Sequence, residues 1–229
     1  SLPWESVTLA VSAISVAGGA MMAALVPDGP FLAKGAKFDP RAVFAIFRSA
    51  RFRASAFGYF GHMWELYAFW AFVPPLLTAY LTANGISLNL SLLSFAVIVS
   101  GGLSCMVGGK LSVRYGSARV AGLNLSVSGL CCLISPLAFI APLPLFLLFV
   151  LVWGIAVVGD SPQFSALNAH SAPPELVGSA LTIANAIGFG VSVVSIQLLS
   201  AVADDLGMQF VFLLLPVSYT HLRAHETPL

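Results

Sequence analysis

Two carboxylates carry most of the chemistry this sequence offers. Glu65 stands in the run Gly58-Tyr-Phe-Gly61-His62-Met-Trp64-Glu65-Leu-Tyr67, and Asp160 opens the run Asp160-Ser-Pro162-Gln163-Phe-Ser-Ala-Leu167. Each has a polar companion three residues away, His62 before Glu65 and Gln163 after Asp160. On a helix that spacing puts both side chains on one face. The surroundings are apolar, and a charge at the centre of a membrane span costs about 2.5–3.5 kcal/mol or more. An acid placed there pairs with a cation, binds a cationic substrate, or carries a proton. Proton carriage suits a coupling role; the plain alternative is a structural hydrogen bond to a neighbouring helix. His62 alone fits a structural role as well as a functional one.

No enzyme motif competes for these residues. The sequence has no His-Glu-x-x-His, no Gly-x-Ser-x-Gly, no paired Asp motif in a span and no phosphate loop. We expect no enzyme activity and no cofactor. Cys105, Cys131 and Cys132 have neither metal-ligand spacing nor the pattern of a secreted disulfide framework. They read as small packing residues, so no metal is expected.

The elements around the acids follow from composition. Of 229 residues, 59% are apolar and 8% charged, against about 25% charged in a soluble domain. The long unbroken apolar runs exclude a transmembrane barrel, whose strands alternate over about ten residues. The expected fold class is all-α, a polytopic transmembrane helix bundle. A span needs about 20 mostly apolar residues, which gives Val7–Leu25, Ala54–Leu81, Leu90–Val107, Val120–Ile140, Pro144–Asn168 and Pro174–Val202. A seventh begins at Met208. Six of the ten Lys and Arg (34, 37, 41, 48, 51 and 53) lie between the first and second spans. Lys110, Arg114 and Arg119 lie between the third and fourth, and the tenth is Arg223. The loops 82–89, 141–143 and 203–207 carry none. This alternation predicts that the basic loops are cytoplasmic. It leaves Asp204 and Asp205 outside.

From those helix ends, Glu65 lies about 16 Å and Asp160 about 12 Å from the cytoplasmic side, at ~1.5 Å per residue. The sequence therefore predicts two carboxylates at similar depth on one cavity. Gly58, His62, Glu65, Phe69 and Phe72 form a stripe at helical spacing. Pro74 and Pro75 in one helix and Pro162 in the other predict kinks, because proline removes a backbone bond. Trp64, Tyr67, Phe69, Trp70 and Phe72 suit either packing or a substrate path.

The segment 26–53 is the single long loop. Its basic stretch Ala42–Arg53 is expected to lie on the membrane surface through Phe44, Phe47 and Phe52. The absence of an initial Met suggests that the chain opens inside a longer protein. The tail 217–229 resembles the translation of a transposon-end adapter used in sequencing libraries, and it is expected to replace the rest of a final helix.

Two motifs bear on family. The loop Gly109-Lys-Leu-Ser-Val-Arg114-Tyr-Gly116-Ser-Ala-Arg119 is similar to the Gly-x-Leu-Ala-Asp-Arg-x-Gly-Arg-Lys loop of the major facilitator superfamily. Gly109, Leu111, Arg114 and Gly116 match, whereas Val113 replaces the acid and Ser117 the first base. The segment Ser171-Ala-Pro-Pro-Glu175-Leu-Val-Gly178-Ser-Ala180 resembles that family's Pro-x-Glu-x-x-Gly-x-Ala helix start. There Ser171 is a candidate cap, and Ala180, Ala184 and Gly188 form a small stripe for close packing. Over residues 4–216 the layout resembles the C-terminal six-helix half of such a transporter. Residues 1–25 would be the last helix of the N-terminal half, 26–53 the cytoplasmic loop between halves, and 54–216 the C-terminal bundle.

The resemblance implies a secondary active transporter of a small solute by alternating access, proton-coupled, multi-pass in the cell (inner) membrane. Its partners would be a small-molecule substrate, the lipid bilayer and the missing N-terminal half, with no nucleic acid. Glu65, Asp160, His62 and Gln163 would carry substrate or proton coupling. Gly109, Arg114, Gly116 and Arg119 would form the cytoplasmic loop motif. The competing classes are the membrane subunit of an ATP-driven transporter and a non-transporting membrane sensor.

Overall fold

A computed structural model describes residues 3–27 and 42–216. The tail 217–229, with its adapter-like sequence, lies outside the described residues, as do residues 28–41 of the loop 26–53 with three of its cations, Lys34, Lys37 and Arg41. Among the described residues every regular element is helical, and six helices are long and apolar enough to cross a membrane. The chain divides into two compact units, residues 1–37 and 38–229. The first contains α1 (Trp4–Leu25), apolar along its length and with no buried residue.

The second unit begins with a short α2 (Ala42–Arg48) and then α3 (Ala50–Ala83). Ser49 separates them and caps α3, its hydroxyl accepting the Phe52 N–H at 3.2 Å. The Arg53 guanidinium donates to the Phe47 and Arg48 carbonyls at 2.7 and 3.0 Å, closing the end of α2. The surface reading of this stretch needs one correction. Phe44 is exposed, but Phe52 and Ile46 are fully buried, and Phe52 packs edge-on against Phe47. The alternation of arginine and phenylalanine here marks the entry of a core helix.

At 34 residues α3 is about 51 Å long, more than the ~30 Å hydrocarbon thickness. It is the hub of the bundle. The stripe Gly58, His62, Glu65, Phe69 and Phe72 is its buried face. The helix runs unbroken through Pro74 and Pro75.

α4 (Leu90–Tyr115) and α5 (Ser117–Phe139) meet at one residue, Gly116. Its φ of 85° lies in the left-handed region open to glycine. What the sequence reads as a 12-residue loop is thus mostly helix, with Gly109 inside α4. The fifth span is discontinuous: α6 (Leu143–Gly159) stops at Asp160, and α7 (Ser161–Ser171) starts anew. Pro162 is the cause, since it has no N–H for the Val158 carbonyl four residues back. That carbonyl accepts the Cys105 thiol from α4 at 3.5 Å.

A 3₁₀ turn (Pro174–Leu176) leads into α8 (Val177–Leu206), without a side-chain cap from Ser171, which is the last residue of α7. Gly207, with φ 80°, then joins α8 to α9 (Met208–Val211). On α8 the small stripe is buried as expected, with Ala180 and Ala184 fully covered. A β-carbon on Gly188 would strike Tyr59 and Met63 of α3. The Ser192 hydroxyl crosses to the Met63 carbonyl at 2.8 Å. α4 and α6 are packed just as closely: a β-carbon on Gly154 would strike Val97, and one on Gly101 would strike Val158.

Candidate functional site

Glu65 is 1% exposed. It points into the bundle, between α5 and α6. Three neutral donors converge on its Oε1: the Ser128 hydroxyl, the Cys132 thiol at 3.3 Å and the Trp153 indole N–H at 3.4 Å. Its Oε2 has no hydrogen-bond partner among the described residues. Among the described residues no Lys or Arg pairs with it. Trp153 is itself fixed by Phe69 and Phe212, with ring centroids 4.9 and 4.8 Å away. α5 supplies Ser128 and Cys132 from successive turns of one face, and that spacing lets both reach the same oxygen.

Asp160, also 1% exposed, occupies the break between α6 and α7. His62 Nδ1 lies 2.9 Å from its Oδ1, an ion-pair distance, though the N–H lies off the line of a hydrogen bond. The second ring nitrogen, Nε2, is 2.9 Å from the Ser161 hydroxyl. Tyr59 and Phe164 flank the imidazole at 6.1 and 5.7 Å. Below this group the Ser55 hydroxyl donates to Asn168 of α7, again buried. A column of polar contacts thus runs from Ser55 through His62 to Glu65 along the covered face of α3.

The structure places His62 and Glu65 on one covered strip of α3 and brings Asp160, from the junction of α6 and α7, against His62. It does not place the two acids on an open cavity wall. Both are enclosed within the bundle, which corrects the shared-cavity expectation. The reason is the density of small residues on α4, α5 and α6, which lets these helices close over the acids. Gln163 is buried too, but it approaches α4 at Gly108 and not the imidazole. Phe69 and Phe72 are core residues, while Trp64, Tyr67 and Trp70 are partly buried against the same core. Pro162 is the proline that interrupts a helix; Pro74 and Pro75 are accommodated.

In the loop motif, Gly116 makes the turn between helices. Gly109 does not: a β-carbon there would meet open space, whereas one on Gly108 would press on the Gly159 carbonyl. Arg114 lies over the Tyr115 ring at 5.3 Å, and Arg119 is exposed in the first turn of α5.

Sequence reasoning missed Ser128, Cys132, Trp153 and Ser161. Cys132 reads as packing and proves also to be a carboxylate ligand. Comparison of the chain with protein-family models, with curated proteins and with solved structures finds no match, and the chemistry of the site is the guide to its function.

Proposed function

We propose that this chain is the C-terminal half of a transporter of the major facilitator type, moving a small solute by alternating access with proton coupling at Glu65. One observation carries the reading. A carboxylate buried in the middle of an apolar bundle has one oxygen on three neutral donors and the other without a partner. No Lys or Arg among the described residues offsets a charge there, and Oε2 is the oxygen left open to a proton. Asp160 and His62, beside a helix break, form the second element; broken helices accompany transporter sites at mid-membrane. The basic loops favour a cytoplasmic location for Gly116 in a cell membrane.

Proteoliposomes of the full-length protein with an internal pH dye test the reading. Candidate solutes are screened for solute-driven proton flux. Glu65→Gln keeps shape and an acceptor but fixes the neutral state; it should abolish flux and gradient-driven accumulation while solute exchange partly survives. Asp160→Asn should raise the half-saturation concentration if Asp160 holds a cationic solute. Normal accumulation by both variants at every pH would exclude coupling through these acids. Orientation is checked separately: in intact cells a thiol reagent should label a Cys placed at Asn84 and spare one at Ser117.

A further inference from the structure

A groove of about 620 Å³ runs between α4 and α5, floored by Ile155 of α6. It opens at Tyr115 and Arg119, beside the Gly116 joint, and ends at Ser100. Between Tyr115 and Ser100 α4 rises about 22 Å, which reaches past the midplane of a ~30 Å hydrocarbon layer. α4 leaves room for the groove by placing its small residues Ser100, Ser104 and Gly108 along this side, one per turn, between the apolar Leu103, Val107 and Leu111.

The serine hydroxyls and the Asn124 amide along its length already donate within the bundle. The Ser100 hydroxyl donates to the Val97 carbonyl at 2.7 Å, and that of Ser104 to the Ile155 carbonyl at 2.7 Å. The Asn124 amide donates to the Val120 carbonyl at 2.9 Å. What remains for an occupant is hydrocarbon, including the exposed Val107 and Leu123. The mouth is different. Arg119 is exposed and has no ion-pair partner among the described residues. Arg114 and Lys110 stand on the adjoining turns of α4, and neither α4 nor α5 contains an Asp or Glu.

An apolar trough one leaflet deep, with an uncompensated cationic mouth at the membrane surface, matches one class of molecule. We propose that this groove binds a single anionic phospholipid, an acyl chain along α4 and the phosphate at Arg119. A soluble anion would leave the trough empty, and a zwitterionic lipid would bring its own cation to a mouth already occupied by Lys110, Arg114 and Arg119. The site does not depend on the transport reading.

The test uses the full-length protein in nanodiscs of phosphatidylcholine containing a minority of phosphatidylglycerol. Lipids retained after extraction into mild detergent are counted by native mass spectrometry. The wild type should retain phosphatidylglycerol in preference to phosphatidylcholine. Arg119→Gln should reduce that preference about fivefold, the effect of one surface cation. Val107→Trp, which fills the trough from its exposed side, should remove the retained lipid of both kinds; Leu123→Trp serves the same purpose if Val107→Trp does not fold. Arg48→Gln, one charge lost away from the groove, should change nothing. Undiminished retention by Arg119→Gln or by the folded Trp variant overturns the proposal. So does an equal loss in Arg48→Gln, which would mark diffuse attraction to a basic surface.

Discussion

Glu65 and His62 lie one turn apart on α3, yet the carboxylates they serve are stabilised by opposite means. Asp160 has an imidazole nitrogen 2.9 Å away, on the same turn of α3 that faces the helix junction. Glu65 has a hydroxyl, a thiol and an indole, all neutral, and they crowd one oxygen. A close imidazole–carboxylate contact makes its two partners interdependent, since removing one strands the other. The neutral donors around Glu65 hold its carboxyl in place without a paired charge. The two acids are equally buried and differ in their neighbours.

The largest effect that distinguishes them should come from Asp160→Leu. It strips the partner from His62 and should cost about 3–5 kcal/mol, as for other broken buried pairs. In thermal unfolding of the detergent-solubilised protein, the double variant His62→Leu/Asp160→Leu should be more stable than the sum of the single losses predicts, by about 0.5–3 kcal/mol. Strict additivity would break the interdependence. Glu65→Leu should rank next, at about 1–3 kcal/mol, because the donors of Ser128 and Trp153 lose their acceptor. Glu65→Gln should stay within about 1 kcal/mol of wild type, since the amide oxygen accepts the same bonds. A large loss in Glu65→Gln would show that a charged carboxylate is needed for stability and would erase the contrast. Ser128→Ala, leaving two of three donors, should cost about 1 kcal/mol. Cys132→Ala should be smaller still in hydrogen bonding, because a thiol is a weak donor.

The helices were legible because a run of ~20 apolar residues has few other uses. The buried face of α3 was legible too, since a 3.6-residue period places Gly58, His62, Glu65, Phe69 and Phe72 together whatever they touch. What they touch was not. Ser128, Cys132 and Trp153 come from α5 and α6, and a Ser, Cys or Trp in a span is ordinary until the packing is known. Periodicity also failed at single-residue phase. Gly108 and Gly109 look alike in sequence, but they face about 100° apart on a helix, and only Gly108 meets α6. The prolines divide for a similar reason. Pro162 is followed by a short segment able to restart as α7, and Cys105 takes the released carbonyl; Pro74 and Pro75 lie within a helix held on many sides.

The joints at Gly116 and Gly207 share one geometry, φ 85° and ψ 144° against φ 80° and ψ 144°. In each, the glycine N–H returns to the carbonyl four residues earlier, Ser112 or Ala203, and the next helix starts at once. A connection this short has no slack. During synthesis α5 cannot wander into the bilayer apart from α4, and α9 is tethered as closely to α8. Each pair should therefore enter the bilayer as a preformed hairpin. Lengthening either joint by a few flexible residues would uncouple the pair and give misinserted chains a route that the wild-type sequence closes.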